Sequence, residues 1–550
     1  MTRTRQRLVA VTFACALAAG PVLASNGARL TSVGVRAAGR AGVDYAFADD
    51  ATAPATNPAG IAFTPNRLDQ TWLAALPTSE FRNQFGIFHE SPGWTVPLPS
   101  YSFGVVFDPT QSWHVGDLFD MGNWGLKPSA NDPPGDEPTK KDDLPPPPRP
   151  TVPYEGKAAP APAGEPGPPA EPSDEELYGG RLRFGFGVFP VSGGSFRYRH
   201  IVTPFWAPNA VEYRTEALLV SVAPSIAFRI FGNGEIALSI GYSPQFLYGT
   251  FKLNGPIQQP NTSLSSNFRL SSIFTGTSSL TTYAISHDLT TFGFSQRMGV
   301  MFVMKQGLSI GAGYQDRSYL QDYLGESDVD ATNQINKQTQ NTPGLLQVVD
   351  ARVNPALGFR SRYGMRVQNF QQPRGFGAGV AFRPSSRIAL GLDYTFIGWE
   401  ELYRTFSVRL TGSSNPNLDI ITSQTLKVRV PLEYKNQHVI AVGGSVVVLQ
   451  GDDIVPDVPS YQVILRAGYN WGQQPVPANT AIPQTPIFYD HHVSGGLTFQ
   501  WGPYLDFSAA VEYAFQNGLH TGNSITNSDL SSSHQTVSLL TVLWGVGVNF

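Results

Sequence analysis

Residues 505–515 read LDFSAAVEYAF. Leu505, Phe507, Ala509, Val511, Tyr513 and Phe515 fall on one face of an extended chain, and Asp506, Ser508, Ala510, Glu512 and Ala514 on the other. A period of two marks a strand whose faces meet different surroundings. The same pattern recurs upstream. In residues 493–501, Val493, Leu497, Phe499 and Trp501 oppose Ser494, Thr498 and Gln500. In residues 387–396, Ile388, Leu390, Leu392, Tyr394 and Phe396 oppose Arg387, Asp393 and Thr395.

A soluble β-sandwich alternates too, with its apolar face turned inward. Three features favour a membrane barrel instead. The pattern recurs over hundreds of residues. Its segments run to about ten residues, enough to cross a bilayer at a tilt. Aromatic residues gather near strand ends, as in Tyr394, Phe396 and Trp399 or Tyr469 and Trp471, where interfacial girdles sit. Composition agrees. Only 15% of the 550 residues are charged, against about 25% in an average soluble chain. Yet mean hydropathy is −0.14, and past residue 24 no uninterrupted apolar stretch reaches the roughly 18 residues of a spanning helix. The closed barrel is the other structure that satisfies every backbone group in lipid. The expected fold is therefore all-β, a transmembrane antiparallel β-barrel.

Both ends of the chain fit that expectation. Arg3, Arg5 and Arg7 precede a short apolar run, residues 8–19, and Val22-Leu23-Ala24 offers a cleavage site, so residues 1–24 read as a signal peptide. The sole cysteine, Cys15, lies within it; Thr12-Phe13-Ala14 is a poor lipoprotein box, so acylation there is the weaker reading. The mature chain then carries no disulfide and no thiolate chemistry. Removing the three arginines from the 38 basic residues leaves 35 against 42 acidic ones. No basic stripe suited to nucleic acid appears. At the other end Trp544, Val546, Val548 and Phe550 alternate up to a terminal aromatic residue. This resembles the last strand of bacterial outer-membrane proteins, read by the barrel assembly machinery.

Between two strand-rich zones, 67–127 and 177–550, residues 128–176 are of different material. They hold 16 prolines, 11 acidic and four basic residues. Such a segment cannot bury a core. Fully extended at about 3.1 Å per residue it would reach on the order of 150 Å.

Residues 25–66 are small, Gly/Ala-rich and irregular. Within them stand Gly39-Arg40-Ala41-Gly42, Ala48-Asp49-Asp50 and Asn57-Pro58-Ala59-Gly60. This ordered set resembles the N-terminal plug of the FadL/TodX family of outer-membrane transporters. Residues 386–399 (SRIALGLDYTFIGW), 465–477 (LRAGYNWGQQPVP) and His491-His492 resemble later family strands. The resemblance implies a barrel of about fourteen strands, with the 25–66 segment as a hatch in its lumen. It also implies inward transport of long-chain fatty acids, or of aromatic hydrocarbons, with lateral release through a kink in the third strand. A structural or adhesive barrel on the same scaffold is the alternative. Expected partners are those hydrophobic molecules, outer-membrane lipids and the assembly machinery.

Candidate site residues follow. Gly39, Gly42 and Gly60 permit turns and close backbone approach, and Asn57 can satisfy amides around Pro58. Around residues 181–199, Arg181, Arg183, Gly185, Gly187 and Phe189 share one face, assigned to the lumen; Leu182, Phe184, Phe186 and Val188 share the other. Pro190 and Gly193-Gly194 then interrupt the run, either as a bulged gate or as an ordinary hairpin turn. Arg181 and Arg183, with Phe189 beside them, could meet a fatty-acid carboxylate, although inward arginines are ordinary in polar lumens. Arg387, Asp393 and Glu512 read as a structural ion network. If residues 181–199 are the third strand, the insert joins strands two and three on the periplasmic side. No P-loop, GxSxG, HExxH or CxxC motif is present. No metal, cofactor or catalytic residue is expected.

Overall fold

The computed structural model describes residues 29–47, 49–89, 100–109, 181–202, 210–232, 235–260, 279–333, 335, 351–422, 425–455, 458–526 and 530–550. The signal-peptide reading (1–24) and the Pro-rich insert (128–176) lie outside the described residues.

Strand pairing closes on itself. Fourteen described strands form the wall: β1 (Arg67–Asn83), β2 (Ser100–Phe107), β3 (Leu182–Val202), β4 (Ala210–Gly232), β5 (Ile236–Pro260), β6 (Leu289–Met304) and β7 (Leu308–Gln315), then β8 (Gly375–Ser385), β9 (Ile388–Ile397), β10 (Gln437–Gln450), β11 (Tyr461–Gly472), β12 (His491–Trp501), β13 (Leu505–Thr521) and β14 (Ser533–Asn549). Each pairs antiparallel with the next. β14 returns to β1 in unbroken register from Arg67↔Asn549 to Arg82↔His534. Closure pairs each described wall strand on both sides over at least part of its length, so most wall backbone groups are satisfied without water.

Alternation then sorts side chains by solvent. On β13, Phe507, Val511, Tyr513 and Phe515 are exposed outward, while Asp506, Ala510, Glu512 and Ala514 are buried inward. Leu390, Leu392, Ile440, Val442 and Phe292 extend the same outward band. Tyr394 and His438, and Tyr469 and His491, are hydrogen-bonded pairs at 2.8 and 2.6 Å on its rim. They mark a girdle of amphipathic rings. In the C-terminal strand Trp544 faces outward, Val546 and Val548 follow it at the period of two, and Phe550 donates its amide to the Asn66 carbonyl at 3.0 Å.

The two rims differ. β1 begins and β14 ends at one rim, where short turns also join β6 to β7, β8 to β9 and β12 to β13. Phe107 and the start of β3 lie at this terminal rim, because Phe107 pairs with Phe184. At the distal rim the wall is prolonged by a further sheet of Ser279–Ser286, Tyr323–Asp330, Arg360–Gln368, Thr405–Thr411 and Thr425–Pro431. Its inward residues, including Tyr363, Met365, Val408 and Leu426, pack with Leu219 and Phe251 of the wall.

β3 is one continuous strand of 21 residues. Register slips between Pro190 and Ser192, and again between Tyr198 and Ile201. The hairpin-turn reading of residues 190–194 is thereby corrected. Proline cannot donate to the ladder, and the chain answers with a bulge that lets β4 stay paired beyond it. On the β2 side, described pairing stops at Val188.

Candidate functional site

Residues 29–66 fill the lumen at the level of the wall. They contain little regular structure: the short helix Val35–Gly39 and two 3-10 turns, Ala53–Ala55 and Pro58–Ala62. What seats them is the wall's inward face. A Cβ added to Gly311 would stand 1.8 Å from the Tyr45 carbonyl oxygen, and one on Gly241 2.3 Å from the Ala59 nitrogen. At Gly443 and Gly468 a Cβ would meet the Arg40 backbone at 2.5 and 2.4 Å. At Gly104 it would meet the Ala51 carbonyl oxygen at 2.2 Å. Glycine here is the room that a second backbone occupies. Alternation reads such positions merely as inward-facing, and only Gly311 of these five stands in a Gly-x-Gly, with Gly313.

The residues singled out in the plug meet specific partners. Arg40 is fully buried and makes a two-pronged pair with Asp49 at 2.7 and 3.0 Å, with its guanidinium 3.9 Å above the centre of the Phe47 ring. Burial alone would raise the Asp49 carboxyl, but Arg40, with Arg36 behind it, outweighs that and holds it well below the usual carboxylate range. Asp44 is 3.8 Å from Arg40. Burial, reinforced by Asp50 and Asp49 against the pull of Arg40, pushes its carboxyl up to about 8. Asp50 accepts from the Thr52 amide at 2.9 Å. Asn57 accepts from the Ala59 amide at 3.2 Å and donates to the wall carbonyl of Val300 at 3.1 Å. Pro58, Ala59 and Gly60 form the buried turn it caps. Gly39 packs against Gly496, and Gly42 sits at φ +88°, a conformation only glycine adopts freely.

Of the wall residues read as an ion network, Asp393 accepts two plug amides and Glu512 accepts the Thr31 hydroxyl at 2.8 Å. Arg387 is exposed, in the turn between β8 and β9. These three do not form one network, because the turn carries Arg387 out of the alternation that aims the other two inward.

Above the plug lies a cavity of about 150 Å³. One side is β3 at Ser192, Gly193 and Gly194; the rest includes Leu219, Phe251, Phe370, Tyr403, Phe406 and Tyr434. The rings pack on one another: Phe251 and Phe370 lie 5.2 Å apart, and Tyr403 and Tyr434 stack at 5.5 Å. Their polar atoms are turned aside. Tyr403 donates to the Gln371 carbonyl at 2.8 Å, and Trp399 Nε1 to Gln437 at 3.0 Å. Trp399 is 1% exposed, which corrects its assignment to the outer girdle: the chain leaves β9 after Ile397 and turns inward. Phe370, Tyr403 and Tyr434 come from segments between strands, so no periodicity flagged them.

A second cavity of about 50 Å³ lies just below, against Phe189, Pro190 and Val191, with Arg29, Gln245 and Arg297 in its lining. Arg29 and Arg297 both donate to Gln315 Oε1, at 2.6 and 2.9 Å. Nε and Nη1 of Arg297 are buried without a partner among the described residues. Arg29 also forms an isolated bridge to Ser192, and Gln372 donates to the Ser192 hydroxyl at 2.7 Å. The bulge thus touches both cavities and the start of the plug.

Arg181 and Arg183 are placed elsewhere. Arg181 is exposed at the terminal rim. Arg183 is buried and bonded to Asn66 at 2.7 Å, with Asp108 3.8 Å away. Neither lines either cavity.

Comparisons with known proteins agree with this architecture. Three solved structures overlay on most of the chain: the Pseudomonas putida toluene transporter TodX (14% identity, TM-score 0.62, 95% of this chain and 98% of that one), the Ralstonia pickettii toluene transporter TbuX (14%, 0.59, 94% and 97%) and a Pseudomonas aeruginosa FadL homologue (15%, 0.56, 95% and 100%). At such identities the likeness is one of fold. A search of curated proteins found no match. The family model for outer membrane protein transport proteins (OMPP1/FadL/TodX) matches residues 203–549. The chain belongs to this family of outer-membrane transport proteins.

Proposed function

We propose that this protein carries long-chain fatty acids inward across the outer membrane, with the distal rim outside and both termini in the periplasm. The apolar body of the substrate occupies the aromatic cavity. Its carboxylate reaches the small cavity at Arg297 and Arg29. The molecule leaves sideways past the bulge at Pro190–Gly194 into lipid, the phase an apolar chain prefers to water. The observation that carries this reading is the junction itself: an apolar, ring-lined cavity beside a buried arginine with two donors unpartnered among the described residues, both bordering a bulged wall strand. A buried, unpaired guanidinium is costly, and an arriving carboxylate would satisfy it.

A second reading is uptake of monoaromatic hydrocarbons. It is favoured by the size of the main cavity, about 150 Å³, comparable to an engineered apolar cavity known to hold benzene. Two of the structural neighbours are toluene transporters. Uptake of labelled oleate and labelled toluene by a deletion strain, with and without a plasmid copy, separates the two. Restored oleate uptake supports the first reading. Restored toluene uptake alone supports the second. No change in either returns the protein to a structural or adhesive role.

A further inference from the structure

The distal sheet has an outward face whose charges are unevenly matched. On Tyr323–Asp330 and Arg360–Gln368 acids and bases pair: Arg360 with Asp330 at 2.9 Å, Arg362 with Asp328 at 2.9 Å and Arg366 with Asp322 at 3.6 Å. The next two strands carry cations alone. Arg409, Lys427 and Arg429 are all exposed and have no ion-pair partner among the described residues. The register makes this costly. Arg366 lies directly opposite Arg409, and Arg409 directly opposite Lys427. Facing residues in an antiparallel pair stand roughly 4.5–5.5 Å apart, and like charges there repel.

Guarding a sheet edge does not account for the arrangement. Lys427 and Arg429 are on Thr425–Pro431, whose described pairing is to one neighbour only, but Arg409 is on a strand paired on both sides. The inward residues between them, Val408, Leu410, Leu426 and Val428, are buried in the core over the main cavity. Arg409 and Lys427 therefore point away from the substrate path, to the outside of the barrel, while Arg429, exposed like them, also borders the main cavity. They stand beside the lipid-facing band, since Leu324, 48% exposed, is directly opposite Arg366.

We propose that Arg409 and Lys427, with Arg366 beside them, form a docking surface for the phosphates of the phosphorylated glycolipid of the outer leaflet, lipid A. A row of cations at headgroup height, of which Arg409 and Lys427 are unneutralised among the described residues, is the complement of two phosphates on one lipid. The lipid removes the like-charge repulsion and locks the distal sheet over the cavity. The proposal rests on the orientation given above, with the distal rim outside, and on nothing about the substrate.

The test is native mass spectrometry of the full-length protein in detergent, titrated with bisphosphorylated lipid A, monophosphorylated lipid A and inorganic phosphate. The expected result is retention of bisphosphorylated lipid A, weaker retention of the monophosphorylated form, and none of phosphate. R409E/K427E should lower retention about tenfold or more, and R409Q/K427Q by less. Heat-modifiable mobility on gels confirms that each variant is folded. Equal retention by wild type and folded variants overturns the proposal, as does no retention by the wild type. Retention unchanged but oleate uptake reduced also overturns it, and makes the cations a lure for substrate anions. K427C in intact cells should react with a membrane-impermeant maleimide; failure to label when extracted protein labels would place the distal rim inside and overturn the proposal.

Discussion

Asp393, on the barrel wall, accepts the backbone amide of Asp44 at 2.6 Å and, from the same carboxylate oxygen, that of Tyr45 at 3.0 Å. One inward side chain thereby anchors two successive donors of an irregular segment that has few partners of its own. Hydrogen bonds to a charged group contribute about 1.5–3 kcal/mol each. Replacing Asp393 with Ala should leave the wall intact and loosen the plug. Hydrogen exchange should quicken at residues 43–47 by at least tenfold while the amides of β9 hold their protection. Unchanged exchange at 43–47 would mean that the wall glycines, not Asp393, hold the segment.

Gly468 faces the Arg40 backbone so closely that a Cβ would stand 2.4 Å from the Arg40 carbonyl carbon. Gly468→Val should expel the plug or displace it, at a cost of roughly 1–3 kcal/mol or more from overpacking. Limited proteolysis is the check: residues 29–66 become cleavable in the variant, and the barrel core does not. Gly364→Ala is the control, since its nearest neighbour would be 3.5 Å away. A resistant plug in Gly468→Val would show that the close approach is not needed for seating.

Arg297 holds two buried donors without partners. Arg297→Met keeps an unbranched, flexible side chain and removes the charge and its donors. Oleate uptake should fall at least tenfold, the equivalent of one charge-assisted hydrogen bond of about 1.5 kcal/mol. Toluene uptake should stay within twofold. Equal losses for both would indicate a folding defect, and no loss for either would remove Arg297 from the route.

At Gly193 an added Cβ would lie 2.5 Å from the Ala217 carbonyl oxygen on the paired strand β4. Gly193→Val should push β3 at its bulge and narrow the exit. Uptake of every substrate the wild type carries should drop severalfold, with binding of a spin-labelled fatty acid inside the barrel retained. Loss of binding together with uptake would place Gly193 in the pocket alone.

Asp44, pushed up to about 8 by burial and by Asp50 and Asp49, holds a proton in the folded chain that it releases near pH 4 when unfolded. Between those values the folded state binds the extra proton, so plug stability falls as pH rises, by at most about 1.4 kcal/mol per pH unit. Asp49 has the opposite sign: its contribution is present above pH 4 and lost on acidification. Exchange at residues 40–50 should therefore speed up from pH 5 to pH 8 after correction for intrinsic rates. Asp44→Asn should flatten that slope. A slope that survives in Asp44→Asn would assign it to another group.

Much of the barrel was readable without coordinates, because a wall strand repeats its two solvents every second residue. Leu505 to Phe515 show this directly: the outward and inward sets inferred from alternation are the exposed and buried sets of β13. The plug motifs were readable too, since Asn57 caps its own turn and Gly42 needs its own φ, both local matters. Where local order ends, inference failed. Arg183 and Arg297 both look like inward arginines, yet the first is bonded to Asn66 beside Asp108 near the terminal rim, and only the second lines a cavity, with two buried donors unpartnered among the described residues. Trp399 looked like a girdle residue until the chain was seen to turn inward after Ile397.

The sequence by itself determined the barrel, its faces and the place of the plug motifs, because these follow from period, local turns and the solvent on each side of a strand. Only the tertiary structure decided which rings share a cavity, which arginine stands unpaired beside it and which cations face one another across the distal sheet. Those relations join residues far apart in the chain, such as Arg29 to Gln315 and Phe251 to Phe370, and they depend on closure and register, which no single segment encodes.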